Sequence, residues 1–180
     1  MQPFIDFQRL SLAILLAAVL CHFGCSKPPV SEWKQFSPAG GGFSVLLPSD
    51  PTLEVQKAAD GSEPKVYRLY PFLSNVRGMA VGFADQPKGA AGQRPATKIL
   101  DESRDVSVVD LKGKLVSETP ITLQGYPGRE LTVSVPNNYM VRMRIYVVGQ
   151  RKYSLMIVAL AKNIDSPEAR KFFESFQIAL

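Results

Sequence analysis

Histidine and cysteine are almost absent from this sequence. The chain of 180 residues has one histidine, His22, and two cysteines, Cys21 and Cys25. Beyond residue 25 the chain therefore lacks the histidine that Ser-His-Asp and Cys-His catalysis require. It also lacks the histidines and paired cysteines from which zinc sites are built. We expect no catalytic residue, no metal site and no internal disulfide in the folded domain.

Phosphate-binding and nucleic-acid-binding patterns are missing as well. Three glycines at 40–42 are followed by a strand pattern without a Lys-Ser/Thr pair, which favours a hairpin loop over a phosphate-binding loop. No dinucleotide-binding fingerprint occurs. The 21 Lys and Arg against 16 Asp and Glu give a net charge of +5, but these charges are dispersed, without the dense basic blocks of nucleic-acid-binding arms. We therefore expect no cofactor and no nucleic-acid partner.

Residues 1–25 have the features of an export signal. Arg9 precedes an uninterrupted apolar run at 10–20, which is the order of a basic n-region and a short h-region. The run is too short for a comfortable membrane-spanning helix. Residues 20–25 resemble a bacterial lipobox, in which a Cys after a small residue is lipidated, and Gly24 and Cys25 match that pattern. The resemblance implies that Cys25 is lipidated and becomes the mature N-terminus.

Two alternatives to lipidation remain open. Gly24 and Ser26 are small residues at the two positions that a signal peptidase checks, so plain cleavage after Ser26 would release a secreted protein. The leader would otherwise stay uncleaved as an anchor. We expect an exported protein of the cell envelope, held at a membrane by a lipid on Cys25, and otherwise secreted or periplasmic. Residues 26–31 then form a short tether, and residues 32–180 form one domain.

The domain contains two groups of strand patterns, each followed by a helix pattern. Strands are predicted at 33–36, 43–48, 66–70, 79–83, 115–123, 129–135, 140–148 and 153–160. One helix is predicted at 97–108 and another after Asp165, with a last short strand at 177–180. Runs of strands with two helices predict an α+β fold, an antiparallel sheet flanked by helices. The almost wholly apolar run at 153–160 is typical of a central strand, and Pro120 of an edge strand or bend.

The second helix is predicted to begin with a capping box. Asp165 is expected at the N-cap and Glu168 at the third helical position, with Pro167 in the first turn. Four apolar residues then recur at helical spacing, and we expect them to pack on the sheet. They are Ala169, Phe172, Phe173 and Phe176.

Two segments resemble PsbP-type domains. The first is GFSVLLP at 42–48, and the second begins with GYPGRE at 125–130 and continues with RMRIY at 142–146 and KFFESF at 171–176. The resemblance implies the α/β/α sandwich shared by PsbP of the photosystem II periphery and the Ran-binding Mog proteins. It also implies a binding or assembly factor without a common active site. Because fold analogy does not establish function, no functional residue is carried over.

A row of arginines is the candidate binding surface. A two-residue hairpin at 137–138 would place Arg129 opposite Tyr146, and directly opposed residues share a face. The pattern then predicts a patch for an acidic protein or an anionic polymer, formed by Arg129, Arg142, Arg144 and Tyr146, with Tyr126 beside it. In the alternative interpretation, these arginines pair with local carboxylates and lie across the edge of the sheet.

Neighbouring carboxylates provide the one catalytic hypothesis. Asp101 and Asp105 share a helix face at i, i+4, beside Glu102, and paired carboxylates serve acid-base catalysis or bind Ca²⁺. Lys98 and Arg104 are interleaved, which favours an ordinary solvated helix face. The sequence thus favours a non-catalytic, exported binding or assembly module. The alternative is a small carboxylate-dependent hydrolase or ligand-binding enzyme.

Overall fold

A computed structural model describes residues 32–55, 63–70, 73, 75–86 and 94–179. The predicted export signal, the predicted lipidation site Cys25 and the predicted tether lie outside the described residues. Within the described part of the chain, no helix combines the length and the apolar character needed to cross a membrane.

The described residues form ten strands, two α-helices and one short 3-10 helix. The strands are β1 (Lys34–Phe36), β2 (Phe43–Leu47), β3 (Thr52–Val55), β4 (Lys65–Leu69), β5 (Gly78–Asp85), β6 (Lys114–Leu123), β7 (Tyr126–Val135), β8 (Tyr139–Val148), β9 (Arg151–Leu160) and β10 (Gln177–Ile178). The helices are α1 (Ala96–Asp110), the 3-10 helix Ala161–Asn163 and α2 (Pro167–Glu174). The predicted order of elements is confirmed, apart from the additional strand β3.

Seven strands form the main sheet, in the order β3-β4-β5-β9-β8-β7-β6. All neighbouring strands are antiparallel, as predicted. β9 lies in the middle of the sheet and β6 at one edge, which confirms the interpretation of the apolar run and of Pro120. A separate sheet of three strands has the order β1-β2-β10, so the fold contains two sheets where the sequence predicted one.

Each edge strand of the main sheet has a feature that the sequence pattern did not predict. β3 carries four exposed residues, and without a buried face it lacks the alternation that identifies a strand. In β6 the pairing with β7 shifts by one residue between Leu115 and Ser117, which is a β-bulge. Pro120 does not interrupt the strand, because it pairs in register with Arg129. A bulge and a proline both make an edge strand a poor template for further pairing.

Each face of the main sheet has its own core. On one face, α2 and the small sheet pack on β4, β5 and β9, with Phe43 and Phe172 fully buried. On the other face, α1 packs on β7 and β8 through Ile99 and Leu100. One outer layer therefore combines a helix with a small sheet, and the expected α/β/α sandwich is confirmed only in part. The predicted apolar stripe is buried as expected, at Ala169, Phe172, Phe173 and Phe176.

Helix α2 begins one residue later than the capping box predicts. Ser166 is the N-cap, and its Oγ accepts a hydrogen bond from the amide of Ala169 at 3.2 Å. Pro167 disfavours helical geometry in the residue before it, and Ser166 is extended, with ψ 158. Asp165 therefore lies outside the helix, where its carboxylate pairs with Arg142. The predicted cap at Asp165 is wrong.

Candidate functional site

The β7–β8 hairpin determines where the arginines lie. Val135 pairs with Tyr139, so three residues form the turn, and Asn137 and Asn138 adopt positive φ values of 63 and 61. A two-residue turn would require Pro136 to join the ladder, but proline has no N–H to donate. The predicted two-residue turn is therefore wrong, and each pair is displaced by one residue.

This displacement separates the arginines, because one residue of shift moves a side chain to the other face of a sheet. Arg142 lies opposite Thr132 and Arg144 opposite Glu130, on the face that carries α2. Arg129 lies opposite Ile145, on the face that carries α1. The three arginines predicted to share a face are thus divided between the two faces.

Glu130 holds the two arginines on the α2 face. Arg144 Nε donates to Glu130 Oε2 at 2.7 Å, and Arg142 Nε lies 3.8 Å from Glu130 Oε1. Arg142 Nη1 also donates to the carboxylate of Asp165, while the Arg144 guanidinium lies 4.9 Å from the centroid of the Phe173 ring. The arginine side chains are only 18% and 28% exposed. Both arginines therefore pair with local carboxylates.

Tyr146 belongs to the core. It is 4% exposed, and its ring stacks on Phe176 with centroids 6.0 Å apart and planes 7° apart. Burial raises the pKa of the Tyr146 hydroxyl, and the neighbouring Arg144 opposes that rise. The ring therefore packs inside the domain and is not part of an exposed patch.

Arg129 joins α1 to the edge strand β6 on the opposite face. Its Nη1 lies 2.6 Å from a carboxylate oxygen of Asp101 and 2.5 Å from one of Glu118. This buried nitrogen has no hydrogen-bond partner among the described residues, so both contacts are ionic. Arg104 pairs with Asp105 at 2.8 Å and with Glu118 at 3.3 Å. These five side chains form one charge network.

The charge network contains both carboxylates of the catalytic hypothesis. Asp101 contacts Arg129 and, at 3.6 Å, Arg104. The hydrogen bond from Arg104 lowers the pKa of Asp105. A general acid needs a carboxyl with a raised pKa, and Asp105 has the opposite environment. Among the described residues, no cluster of three or more His, Cys, Asp or Glu side chains is arranged to hold a metal ion.

Two contacts between distant segments are absent from the sequence predictions. Arg151 binds Asp85 through two hydrogen bonds of 2.6 and 2.7 Å, and its Nη1 donates to the carbonyl of Gly40 at 2.8 Å. Lys171 Nζ lies 5.0 Å from the centroid of the Trp33 ring. Neither pair has a spacing or motif that identifies it, since only the folded topology brings these residues together.

The fold of this chain is similar to that of a solved structure. The chain matches the solution structure of cyanobacterial PsbP (CyanoP) from Synechocystis sp. PCC 6803 with a TM-score of 0.57 and 12% identity, over 86% of this chain and 96% of that chain. The protein has a PsbP-like fold. A crystal structure of PA94 from Pseudomonas aeruginosa, a protein of unknown function, matches with a TM-score of 0.41 and 10% identity, over 76% of this chain and 88% of that chain.

The PsbP-like fold confirms the resemblance seen in the sequence. No family model matches the chain, and no curated protein matches it. At 12% identity the likeness to CyanoP establishes the fold alone, because one fold supports many functions. The function must therefore be argued from the side chains of this chain.

A shallow depression of the PsbP-like domain lies between the small sheet and the end of α2. Its volume is about 250 Å³, and its lining residues are Gln35, Ser44, Val45, Leu46, Ser175 and Gln177. These residues provide amide, hydroxyl and apolar groups but no carboxylate, amine or imidazole. The depression therefore offers hydrogen bonds to a small molecule without a side chain for acid-base catalysis.

Proposed function

We propose that this protein is a non-catalytic binding or assembly module of the cell envelope. In this proposal residues 1–25 direct export, Cys25 carries the lipid, and residues 26–31 tether a PsbP-like domain to the membrane surface. The basic n-region, the short apolar run and the Gly24-Cys25 pair support export and lipidation. The PsbP-like fold is compatible with a module that acts by binding.

The observation that supports a non-catalytic role is that Asp101 and Asp105 each form ion pairs with arginines. Both carboxylates contact arginines, and both are open to solvent, with side chains 49% and 67% exposed. Acid-base catalysis favours a partly enclosed carboxyl with a shifted pKa in a concave site.

The hydrolase alternative predicts that Asp101→Asn abolishes any hydrolytic activity found in the purified protein. Activity that survives Asp101→Asn would remove this hypothesis.

The partner surface in this proposal is the Arg142–Arg144 pair. Two guanidinium groups on one strand, both in contact with Glu130, are preorganised to bind an acidic protein or an anionic polymer. Asp165, whose side chain is 70% exposed, is the carboxylate that an incoming acidic group would displace. Arg129 is not part of this surface, because it lies on the other face.

Retention on immobilised poly-glutamate at low salt tests this surface. The Arg142→Glu/Arg144→Glu double variant should elute at clearly lower salt than the unchanged protein, since attraction to an anionic polymer falls with lost positive charge. The matched control, Lys98→Glu/Lys114→Glu, makes the same charge change at two exposed positions away from α2. Elution of the two double variants at the same salt concentration would show that net charge alone causes the retention. This result would reject the proposed surface.

Intact mass spectrometry tests the anchor. The mature protein is to be taken separately from membrane and soluble fractions. A mass in the membrane fraction that matches a chain beginning at diacylglyceryl-Cys25 supports the lipid tether. A mass that matches a chain beginning at Lys27, found only in the soluble fraction, would contradict the tether and indicate a freely diffusing secreted domain.

A further inference from the structure

The only tryptophan of the chain lies where the described domain begins. Trp33 precedes β1 and packs, partly buried, against the core on the α2 face. Lys171 of α2 is exposed and lies over its ring. We call Trp33 and Lys171 the Trp33 surface. An amphipathic ring beside a lysine is a combination that proteins place at the boundary between membrane and water.

The length of the chain before Trp33 limits how far this surface lies from the anchor. Eight peptide units separate Cys25 from Trp33, and fully extended they span about 26–29 Å. A lipid on Cys25 holds that residue at the headgroup level. Under the proposed anchor, Trp33 therefore lies within about 29 Å of the headgroups, and α1 lies on the opposite face of the main sheet from α2 and the small sheet.

The charges around the Trp33 surface are nearly balanced. The exposed residues Glu32 and Lys34 flank Trp33 in the chain, and the exposed Glu174 lies one helical turn after Lys171. Such a surface does not need a strongly anionic membrane, because the ring contributes apolar contact and Lys171 can pair with a lipid phosphate. The layer of phospholipid headgroups is the partner that fits this chemistry.

We propose that the anchored domain rests on the phospholipid headgroups through the Trp33 surface, with α1 on the side away from the membrane. This proposal rests on the proposed lipid at Cys25. It adds an orientation to the anchored domain. The Arg142–Arg144 pair shares the α2 face, so the acidic partner of that pair would also be bound near the membrane.

Quenching of tryptophan fluorescence tests the orientation, because Trp33 is the only tryptophan in the protein. The lipidated protein is reconstituted into phosphatidylcholine/phosphatidylglycerol vesicles that contain a nitroxide-labelled lipid with the label near the headgroup. Flotation of the vesicles first establishes whether the protein is anchored. The expected result is a loss of about half or more of the Trp33 emission relative to vesicles without the nitroxide.

A matched reporter distinguishes orientation from simple proximity. Trp33→Phe combined with Val109→Trp moves the fluorophore to α1, at a position whose native side chain is 73% exposed. This double variant should lose no more than about a tenth of its emission in the same vesicles. Near-ultraviolet circular dichroism and urea unfolding establish that the double variant is folded.

The possible outcomes separate this inference from the proposed anchor. Flotation with equal quenching at positions 33 and 109, or with stronger quenching at 109, would overturn the orientation while the lipid anchor stands. Absence of the unchanged protein from the floated vesicles would overturn both. Lys171→Glu should reduce the quenching of Trp33, whereas Lys98→Glu, the same change on exposed α1, should leave it unchanged. Equal effects of these two variants would remove Lys171 from the surface.

Discussion

The side-chain amide of Gln124 takes the place of a neighbouring strand beside Ile178. Its Oε1 accepts from the amide of Ile178 at 2.8 Å, and its Nε2 donates to the carbonyl of Ile178 at 3.1 Å. The next residue, Ala179, donates its amide to the carbonyl of Gly42 at 3.0 Å. The Gln124 side chain thus connects the β6–β7 turn to the small sheet.

Gln124→Ala should destabilise the domain by about 1–3 kcal/mol, because both backbone groups of the buried Ile178 lose their partner. Urea unfolding measures this loss, and hydrogen exchange at the Ile178 amide should become faster. Gln150→Ala is the control, since the Gln150 side chain reaches only the carbonyl of its neighbour Gly149, at 3.4 Å. Equal losses in the two variants would show that the Gln124 amide contributes nothing specific.

The register of the β7–β8 hairpin predicts which charged pairs are coupled. A double-mutant cycle on Arg144 and Glu130 should give a coupling energy of about 0.5–1 kcal/mol, because the two residues oppose each other and share a hydrogen bond. The control cycle on Arg144 and Glu118 should give none, since these residues lie on opposite faces. Coupling in the control cycle, and none between Arg144 and Glu130, would support the two-residue turn.

The start of α2 gives a prediction about two adjacent residues. Ser166→Ala should cost about 1 kcal/mol, because the amide of Ala169 loses its cap. Asp165→Ala should cost less, since it removes only a solvent-exposed ion pair with Arg142. Thermal or urea unfolding of the two variants measures the difference. A larger loss at Asp165 would restore the predicted capping box.

The ion pair between Asp85 and Arg151 predicts a dependence of stability on pH. The hydrogen bond from Arg151, aided by its charge, lowers the pKa of Asp85 below its ordinary value of 3.8 in spite of partial burial. A carboxyl with a lowered folded-state pKa stabilises the fold fully above its unfolded pKa, and that stabilisation is lost as pH falls through the folded pKa.

Asp85→Asn should therefore reduce stability by a constant amount, up to about 1 kcal/mol, from neutral pH down to about pH 5. The difference from the unchanged protein should shrink below about pH 4. Urea unfolding at several pH values from 7 to 2 measures it. Asp50→Asn, at an exposed carboxyl, is the control. A difference that grows towards acid pH would contradict the assigned sign.

Strands with a regular pattern were predictable from this sequence, and their exact pairing was not. The alternation at 140–148 identifies β8, and the apolar run at 153–160 identifies β9 as central. The alternation alone permits several registers, however, since a turn can close at more than one residue. Pro136 carried the missing information, because its lack of an N–H excludes it from the last pair of the ladder.

The candidate site was predictable in its residue types but only partly in its geometry. Pairing of the arginines with local carboxylates was one of two interpretations of the sequence, but the partners of Arg129 depend on a register that the sequence analysis predicted wrongly. Tyr146 was misplaced because it shares a face of β8 with Arg142 and Arg144, so the alternation predicted an exposed side, whereas Phe176 covers the Tyr146 ring. The Trp33–Lys171 contact joins two ends of the domain and has no local signal.

The small sheet has a consequence for the order of folding. Its middle strand, β2, comes early in the domain, whereas β10 and α2, which complete the core around Phe43, come from residues 167–178. Contacts between segments so distant in sequence form slowly and only after the later segment has been synthesised. For a chain that is exported as proposed, this topology keeps the core incomplete during synthesis, and an incompletely folded chain is easier to thread through a translocation channel.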